Sequence, residues 1–315
     1  MVNFHLRRNL LVALLIIVPI GIVWLLITLF SAVLTPEEEV EAEVAKVSKV
    51  TSYIEKIDNF SLQAFNGEQQ LAHLIQAKNY FNFKQAPALL IDPVVIAYNE
   101  KGEQIYTMTS KRANYLGNGE VKFKGKVDIN SKTGAVYNMH TKALTANTQT
   151  SDLLSNEAVT YLDKTAKVLA QGMHMMTKQD KMRLLGKTSI NQDSGQRILT
   201  RDLMIDQSNA QKRYYSKNDT SYTAHGNKIH AQGIDMDMNN ATAALLNTVE
   251  ILQKSGAKIN TKNLNIDQSD NKEIYSTKEK VHYQSQTADI YATGMLFNAK
   301  EQKIKLTGGV TGRYE

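Results

Sequence analysis

The side chains of this 315-residue chain that could do chemistry are few and scattered. Its seven histidines are His5, His73, His140, His174, His225, His230 and His282, and none lies in an HExxH motif. His225 and His230 are five apart; on an extended strand an odd spacing sends them to opposite faces, so they make no ligand pair. Asp235 and Asp237 share a face and could mimic a carboxylate pair for acid–base work. Nothing near them raises one pKa above the other, so a solvated strand face is the simpler reading. Gly117-Asn118-Gly119 lacks the Lys-Ser/Thr and the following helix of a phosphate loop and reads as a turn. Lys122, Lys124 and Lys126 form a basic stripe that could meet phosphates, but no aromatic residues interleave with it as nucleic acid would require. The chain has no cysteine, which excludes thiol nucleophiles, CxxC redox sites, disulfides and cysteine-ligated metals. The sequence therefore reads as a non-enzyme that calls for no cofactor and no metal.

The elements that must position these side chains form a repeat. Gly172, Gly233 and Gly294 are spaced by 61 residues, as are Gly134, Gly195 and Gly256, and Tyr161, Tyr222 and Tyr283. Gly125, Gly186, Asn247 and Gly308 fill another such column. Residues 171–207 align without gaps on 232–268, with 15 of 37 positions identical where unrelated segments would share two or three. Within each unit the hydrophobic period is two. Val121, Phe123, Val127 and Ile129 alternate with Lys122, Lys124, Lys126 and Asp128, and Ile234, Met236 and Met238 alternate with Asp235, Asp237 and Asn239. The phase slips at the recurring glycines: Ile229 and Ala231 precede Gly233, and the apolar set restarts at Ile234. Gly172, Gly233 and Gly294 are thus expected at bulges or sharp bends. Thr133-Gly134, Ser194-Gly195, Ser255-Gly256, Asn66-Gly67 and the 99–102 stretch (NEKG) read as hairpin turns. No proline follows Pro93, so the rest of the chain can donate to β-ladders. Only 241–252 (ATAALLNTVEIL) has local helical character, and its counterpart one repeat earlier makes it a strand. The expected fold is all-β: two facing antiparallel sheets extended by repetition. About five strands per unit, shared between the sheets, would add roughly 10–14 Å per unit.

The first 36 residues are a different physical object. Arg7 and Arg8 precede an uncharged run whose core, 10–34, is almost wholly apolar. At ~1.5 Å per residue this gives roughly 37 Å of helix, enough to cross a membrane with tilt. A cleaved signal peptide competes with the anchor. Against it, the run is about twice an h-region, and a cut after Ala32 would put Phe30 at the −3 position. Two arginines before the span and Glu37, Glu38 and Glu39 after it place the N-terminus in the cytoplasm. Residues 1–9 are then cytoplasmic, 10–34 transmembrane and 35–52 a juxtamembrane stalk. The stretch 37–51 (EEEVEAEVAKVSKVT) fits either a short helix or an extended segment. The formal charge of +6, from 37 basic against 31 acidic residues, is a mild excess. With 42% hydrophobic and 22% charged residues, neither a disordered tail nor a polytopic membrane protein is expected.

A single anchor followed by serial hairpins resembles the LptC family of the lipopolysaccharide exporter, whose periplasmic part belongs to the OstA-like β-jellyrolls. The landmarks are Asn66-Gly67 followed by HLIQAKNY, then PVVIAYNEKGEQIYTMTSKRANY from Pro93, VKFKGKVDI (121–129), HTKALTANTQ (140–149) and NEAVTYLDKTAKVLAQG (156–172). These are glycines and alternation in a fixed order, not a catalytic signature. Tyr106 stands where the family usually carries Trp. The resemblance covers roughly residues 1–195 as LptC-like, with 53–195 as its jellyroll, and 196–315 look like further LptA-type repeats continuous with it.

The resemblance implies an inner-membrane, single-pass component of the lipopolysaccharide transport bridge of a bacterium, with most of the chain periplasmic. It would receive lipopolysaccharide or lipooligosaccharide from the ABC permease and pass it along an open jellyroll groove to the next bridge protein. Val121, Phe123, Val127, Ile129, Val168, Met173, Met175, Leu203, Ile205, Ile234 and Met236 would line that groove. Each buried acyl methylene would contribute ~0.8 kcal/mol, and the methionines would adapt to chains of varied length. Edge strands would dock partners: Ile54, Ile57, Phe60 and Leu62 facing the permease subunits, and Ile304, Leu306 and Val310 facing a soluble LptA-type protein. The same alternation also lines a sealed β-sandwich. Two other classes stand beside transport: a membrane-anchored structural or adhesin-like stalk without lipid cargo, and an enzyme on a β-solenoid, such as a polysaccharide lyase. The latter would need a shorter coil period and clustered carboxylates.

Overall fold

Among the described residues, most segments in which apolar and polar residues alternate at period two are strands. The computed structural model describes residues 53–132, 137–208 and 212–314. The expected anchor (10–34), the stalk (35–52) and the Thr133-Gly134 turn lie outside them. No helix among the described residues is long and apolar enough to cross a membrane.

Two long strands, β1 (Tyr53–Phe65) and β2 (Leu71–Phe83), form the first hairpin, and four short strands follow. These are β3 (Ala88–Ile91), β4 (Val94–Tyr98), β5 (Gln104–Thr109) and β6 (Arg112–Tyr115). The alternation of a long hairpin with four short strands then recurs. In the next round β7 (Glu120–Ser131) and β8 (Asn138–Asn147) precede β9 (Asp152–Ser155), β10 (Val159–Leu162), β11 (Ala166–Ala170) and β12 (Gly172–Met176). Next, β13 (Lys181–Gln192) and β14 (Arg197–Asp206) precede β15 (Arg213–Ser216), β16 (Thr220–Ala224), β17 (Asn227–Ala231) and β18 (Ile234–Asp237). After them, β19 (Thr242–Leu252) and β20 (Lys258–Asp267) precede β21 (Ile274–Thr277), β22 (Val281–Gln284), β23 (Ala288–Ala292) and β24 (Met295–Asn298). Finally, β25 (Lys303–Leu306) and β26 (Thr311–Tyr314) take the place of a first long strand.

All described ladders are antiparallel, and together they make one continuous sheet. Its pairing shows a lengthwise crease. The first half of β13 pairs with β12, and after a register shift between Leu184 and Lys187 its second half pairs with β11. One half-sheet therefore runs through β3, β6, β9, β12, β15, β18, β21, β24 and β25. The other runs through β4, β5, β10, β11, β16, β17, β22, β23 and β26, and the long strands belong to both. Each repeat contributes four rungs, since the short strands join in pairs across the crease. At ~4.8 Å per rung that is about 19 Å per repeat, which corrects the expected 10–14 Å.

Two columns of the repeat build the crease. Gly125, Gly186, Asn247 and Gly308 all adopt left-handed backbone, with φ of 76°, 69°, 60° and 68°. This is where β7, β13 and β19 shift register. The backbone N–H of Gly186 is held by Asp202 Oδ1 (3.1 Å), and that of Asn247 by Asn263 Oδ1 (3.0 Å), one repeat on. Gly172, Gly233 and Gly294 sit where a strand of one half-sheet continues into the other, and a Cβ at Gly172 would come 2.8 Å from Ser155 O. The apolar phase slips there as expected, from Ala170 to Met173, Ala231 to Ile234 and Ala292 to Met295. A second slip, unannounced in the sequence, lies in β8, β14 and β20, where burial passes from Thr141 to Leu144, Thr200 to Leu203 and Thr261 to Leu264. The 241–252 segment is strand from Thr242.

Candidate functional site

Folding along the crease turns the inner faces of the half-sheets toward each other. Their buried side chains form a single apolar core from Ala77 to Ala299. Of the expected groove residues, Phe123, Val127, Ile129, Val168, Met173, Met175, Leu203, Ile205, Ile234 and Met236 are buried in it, and Val121 packs against it half-buried. Burial follows from register alone: in β14, Ile198, Thr200, Leu203 and Ile205 are buried, whereas Leu199 on the outward face is 42% exposed. Aromatic rings cross the interior. Tyr137 stacks on Tyr161 at 5.2 Å and Tyr161 meets Tyr214 edge-on at 6.5 Å, while a second run joins Tyr222, Tyr275 and Phe297 edge-on. The middle of the interior is packed, with Tyr161, Tyr214 and Tyr275 at 0% exposure.

Opposite the crease, each half-sheet ends in a row of turns, and these rows are the margins of the interior. Two carboxylates join them. Asp163, in the turn between β10 and β11, accepts hydrogen bonds from Tyr214 of β15 and lies 3.0 Å from Lys212 Nζ on the facing margin. Gln207 on that margin donates to Tyr161 Oη at 3.0 Å. Burial works to raise the Asp163 pKa, but the bonds from Tyr214, the Thr165 backbone and Lys212 outweigh it and hold it below its ordinary 3.8. Burial and the neighbouring Tyr161 and Asp163 keep the Tyr214 hydroxyl well above its usual range.

The second carboxylate, Glu273, precedes β21 and is fully buried. It accepts Tyr222 Oη (2.6 Å) and Gln196 Nε2 (2.8 Å) from the other margin, while Gln268 Nε2 reaches Tyr222 Oη at 2.8 Å. His225 Nε2 is 3.9 Å away. Burial, then the charge of Glu273, pushes the Tyr275 hydroxyl far up. Beside this cluster a cavity of about 400 Å³ opens between the margins, with Gln196 and His225 on one side and Met236, Met238, Gln268 and Lys272 on the other.

The other sequence candidates are structural. Lys122, Lys124 and Lys126 face outward, exposed. Asp235 takes a two-point bond from Arg213, with Nε at 2.6 Å, and Asp237 accepts the backbone N–H groups of Asn239 and Asn240 to close a turn. Gly117-Asn118-Gly119 is a turn. His225, expected on a strand opposite His230, lies instead in the β16–β17 turn with φ 49°. The tight turn needs a left-handed residue before Gly226, and the strand alternation stops at Ala224. His140, His174 and His282 each lie beside an aspartate, while burial lowers the pKa of His73. No metal-binding group occurs among the described residues. At the edges, Ile54, Ile57 and Leu62 are exposed and Phe60 stacks on Tyr80 at 4.8 Å; Ile304 and Leu306 pack against the core, and Val310 is exposed.

Sequence reasoning missed both carboxylate clusters. Their one sequence signal is that Tyr161, Gln207 and Tyr214 recur 61 residues later as Tyr222, Gln268 and Tyr275. Among curated proteins no match is found. A protein-family model described as lipopolysaccharide-assembly, LptC-related, matches residues 15–193 and 249–315, and the interval between is close to one repeat. Matched over most of its length, the chain belongs to the LptC-related family of lipopolysaccharide-assembly proteins.

Proposed function

We propose that this chain is a membrane-anchored segment of a lipopolysaccharide transport bridge, receiving the lipid from an ABC permease and passing it to a soluble LptA-type protein. Family membership implies a part in lipopolysaccharide transport, in a family of transport and binding proteins rather than enzymes. The observation that carries the finer reading is an apolar interior continuous through successive rungs, with a margin opposite the crease. Acyl chains would lie in this interior while the phosphorylated sugar stays in water. Burial of each methylene favours the lipid by ~0.8 kcal/mol, and motion along a uniform apolar path changes that term little. In this proposal residues 10–34 anchor the chain in the inner membrane, the β1 edge meets the permease and the β25–β26 edge meets the next protein, by strand addition. The Lys122, Lys124 and Lys126 face would remain solvated.

One observation favours a second reading, a structural stalk: the middle of the interior is filled by its own side chains. Photo-cross-linking from Phe123 and Ile205 in cells separates the two. Transport requires lipopolysaccharide adducts at both. Their absence at both, with the protein expressed and assembled, establishes the stalk.

A further inference from the structure

The packed interior poses a physical problem for any cargo, and the two buried carboxylates lie where it must be solved. We propose that Asp163 and Glu273 are latches that hold the facing margins together, and that an acyl-bearing amphiphile passes between β10 and β24 only as they release in turn. The inference rests on the transport reading above and deepens it.

Each carboxylate is rooted in one margin and bonded from the other: Asp163 by Lys212 and Tyr214, Glu273 by Gln196 and Tyr222. The Asp163 and Glu273 side chains are 1% and 0% exposed. A carboxylate held dry by several donors is stable only while all of them stay. Once the margins part, water replaces those donors and restores much of what was lost. Such a contact has two preferred states, shut or hydrated, and little between.

The repeat shows what is retained. Tyr161, Gln207 and Tyr214 recur as Tyr222, Gln268 and Tyr275, but the acid changes sides. Ala224 occupies the place of Asp163, and Lys212 that of Glu273. A cluster kept while its charge moves to the opposite margin serves the joining of margins, not the needs of one turn.

The chain has no cysteine, so spin labels can be placed cleanly on the full-length protein in detergent. Lys164→Cys with Ser208→Cys spans the first latch, and Ser194→Cys with Asp270→Cys the second. Dipolar spectroscopy is expected to show one short, narrow distance for each pair. Tyr214→Phe or Tyr222→Phe keeps the ring packing but removes the hydroxyl's hydrogen bonds, including the one to the carboxylate, and should raise the separated fraction at least about fivefold. Asp163→Leu and Glu273→Leu should raise it further, and added lipopolysaccharide should separate both pairs. In cells, cross-linking from Ile205 should increase in the same variants. Unchanged distances in folded Tyr→Phe variants and with lipid would overturn the latches while adducts at Phe123 and Ile205 still upheld transport. Separated margins with no adduct at either position would overturn the transport reading and passage with it, leaving the joining of the margins intact.

Discussion

Replacing Gly186 tests whether the crease dictates this fold. Its φ is +69°, and a Cβ there would stand 2.3 Å from Gln171 Oε1 and 3.2 Å from Gln171 Cβ. Holding alanine in left-handed backbone costs about 1–2 kcal/mol. The Gln171 side chain must also swing aside, breaking the bond it accepts from the Lys187 N–H at 2.9 Å, a further 0.5–1.5 kcal/mol or about that. Gly186→Ala is therefore expected to cost about 2–3 kcal/mol, which lowers Tm by about 5–10 °C for a unit of this size. Gly186→Asn should cost about half as much, because asparagine enters this region more readily and Asn247 occupies the equivalent place with φ 60°. Thermal melts of the full chain followed by far-ultraviolet circular dichroism measure both. An alanine variant as stable as the parent, or an asparagine variant as costly as alanine, would refute the reasoning.

Other predictions concern the interior and its margins. Leu203→Ala should cost about 2–5 kcal/mol in urea unfolding, whereas Leu199→Ala, on the outward face of the same strand, should stay within about 0.5 kcal/mol. Asp163 has a folded pKa below its ordinary 3.8. Its contribution to stability is complete above that value and lost as pH falls through the folded pKa. Asp163→Asn should thus flatten the acid limb of a plot of urea midpoint against pH; an unchanged limb would exclude Asp163 as its source. Arg213→Ala breaks the exposed contact with Asp235 and should cost less than about 1 kcal/mol, with lipopolysaccharide cross-linking unaltered. Loss of cross-linking in that variant would show that the outer carboxylates take part in function.

The sequence alone determined the repeat, the strand content and the alternation that buries Phe123, Ile205 and Met236, because period two and a one-residue phase slip are local properties. The bends at Gly172, Gly233 and Gly294 were legible for the same reason. The crease column was visible as spacing, but that Asn247 shares the left-handed backbone of Gly186 became evident only in three dimensions. The rise per repeat was underestimated because short strands pair up across the crease, a count no single segment reveals. His225 was placed on a strand because the alternation through Tyr222 and Ala224 gives no sign of where it stops. The margin clusters were beyond sequence reach. Asp163 meets Tyr214 across 51 positions and Gln196 meets Glu273 across 77. Those separations match no repeat interval, because they arise when two half-sheets fold together and turns from different rungs come to face each other. Local pattern decides which side chains point inward; only the folding of one half-sheet onto the other decides which of them meet.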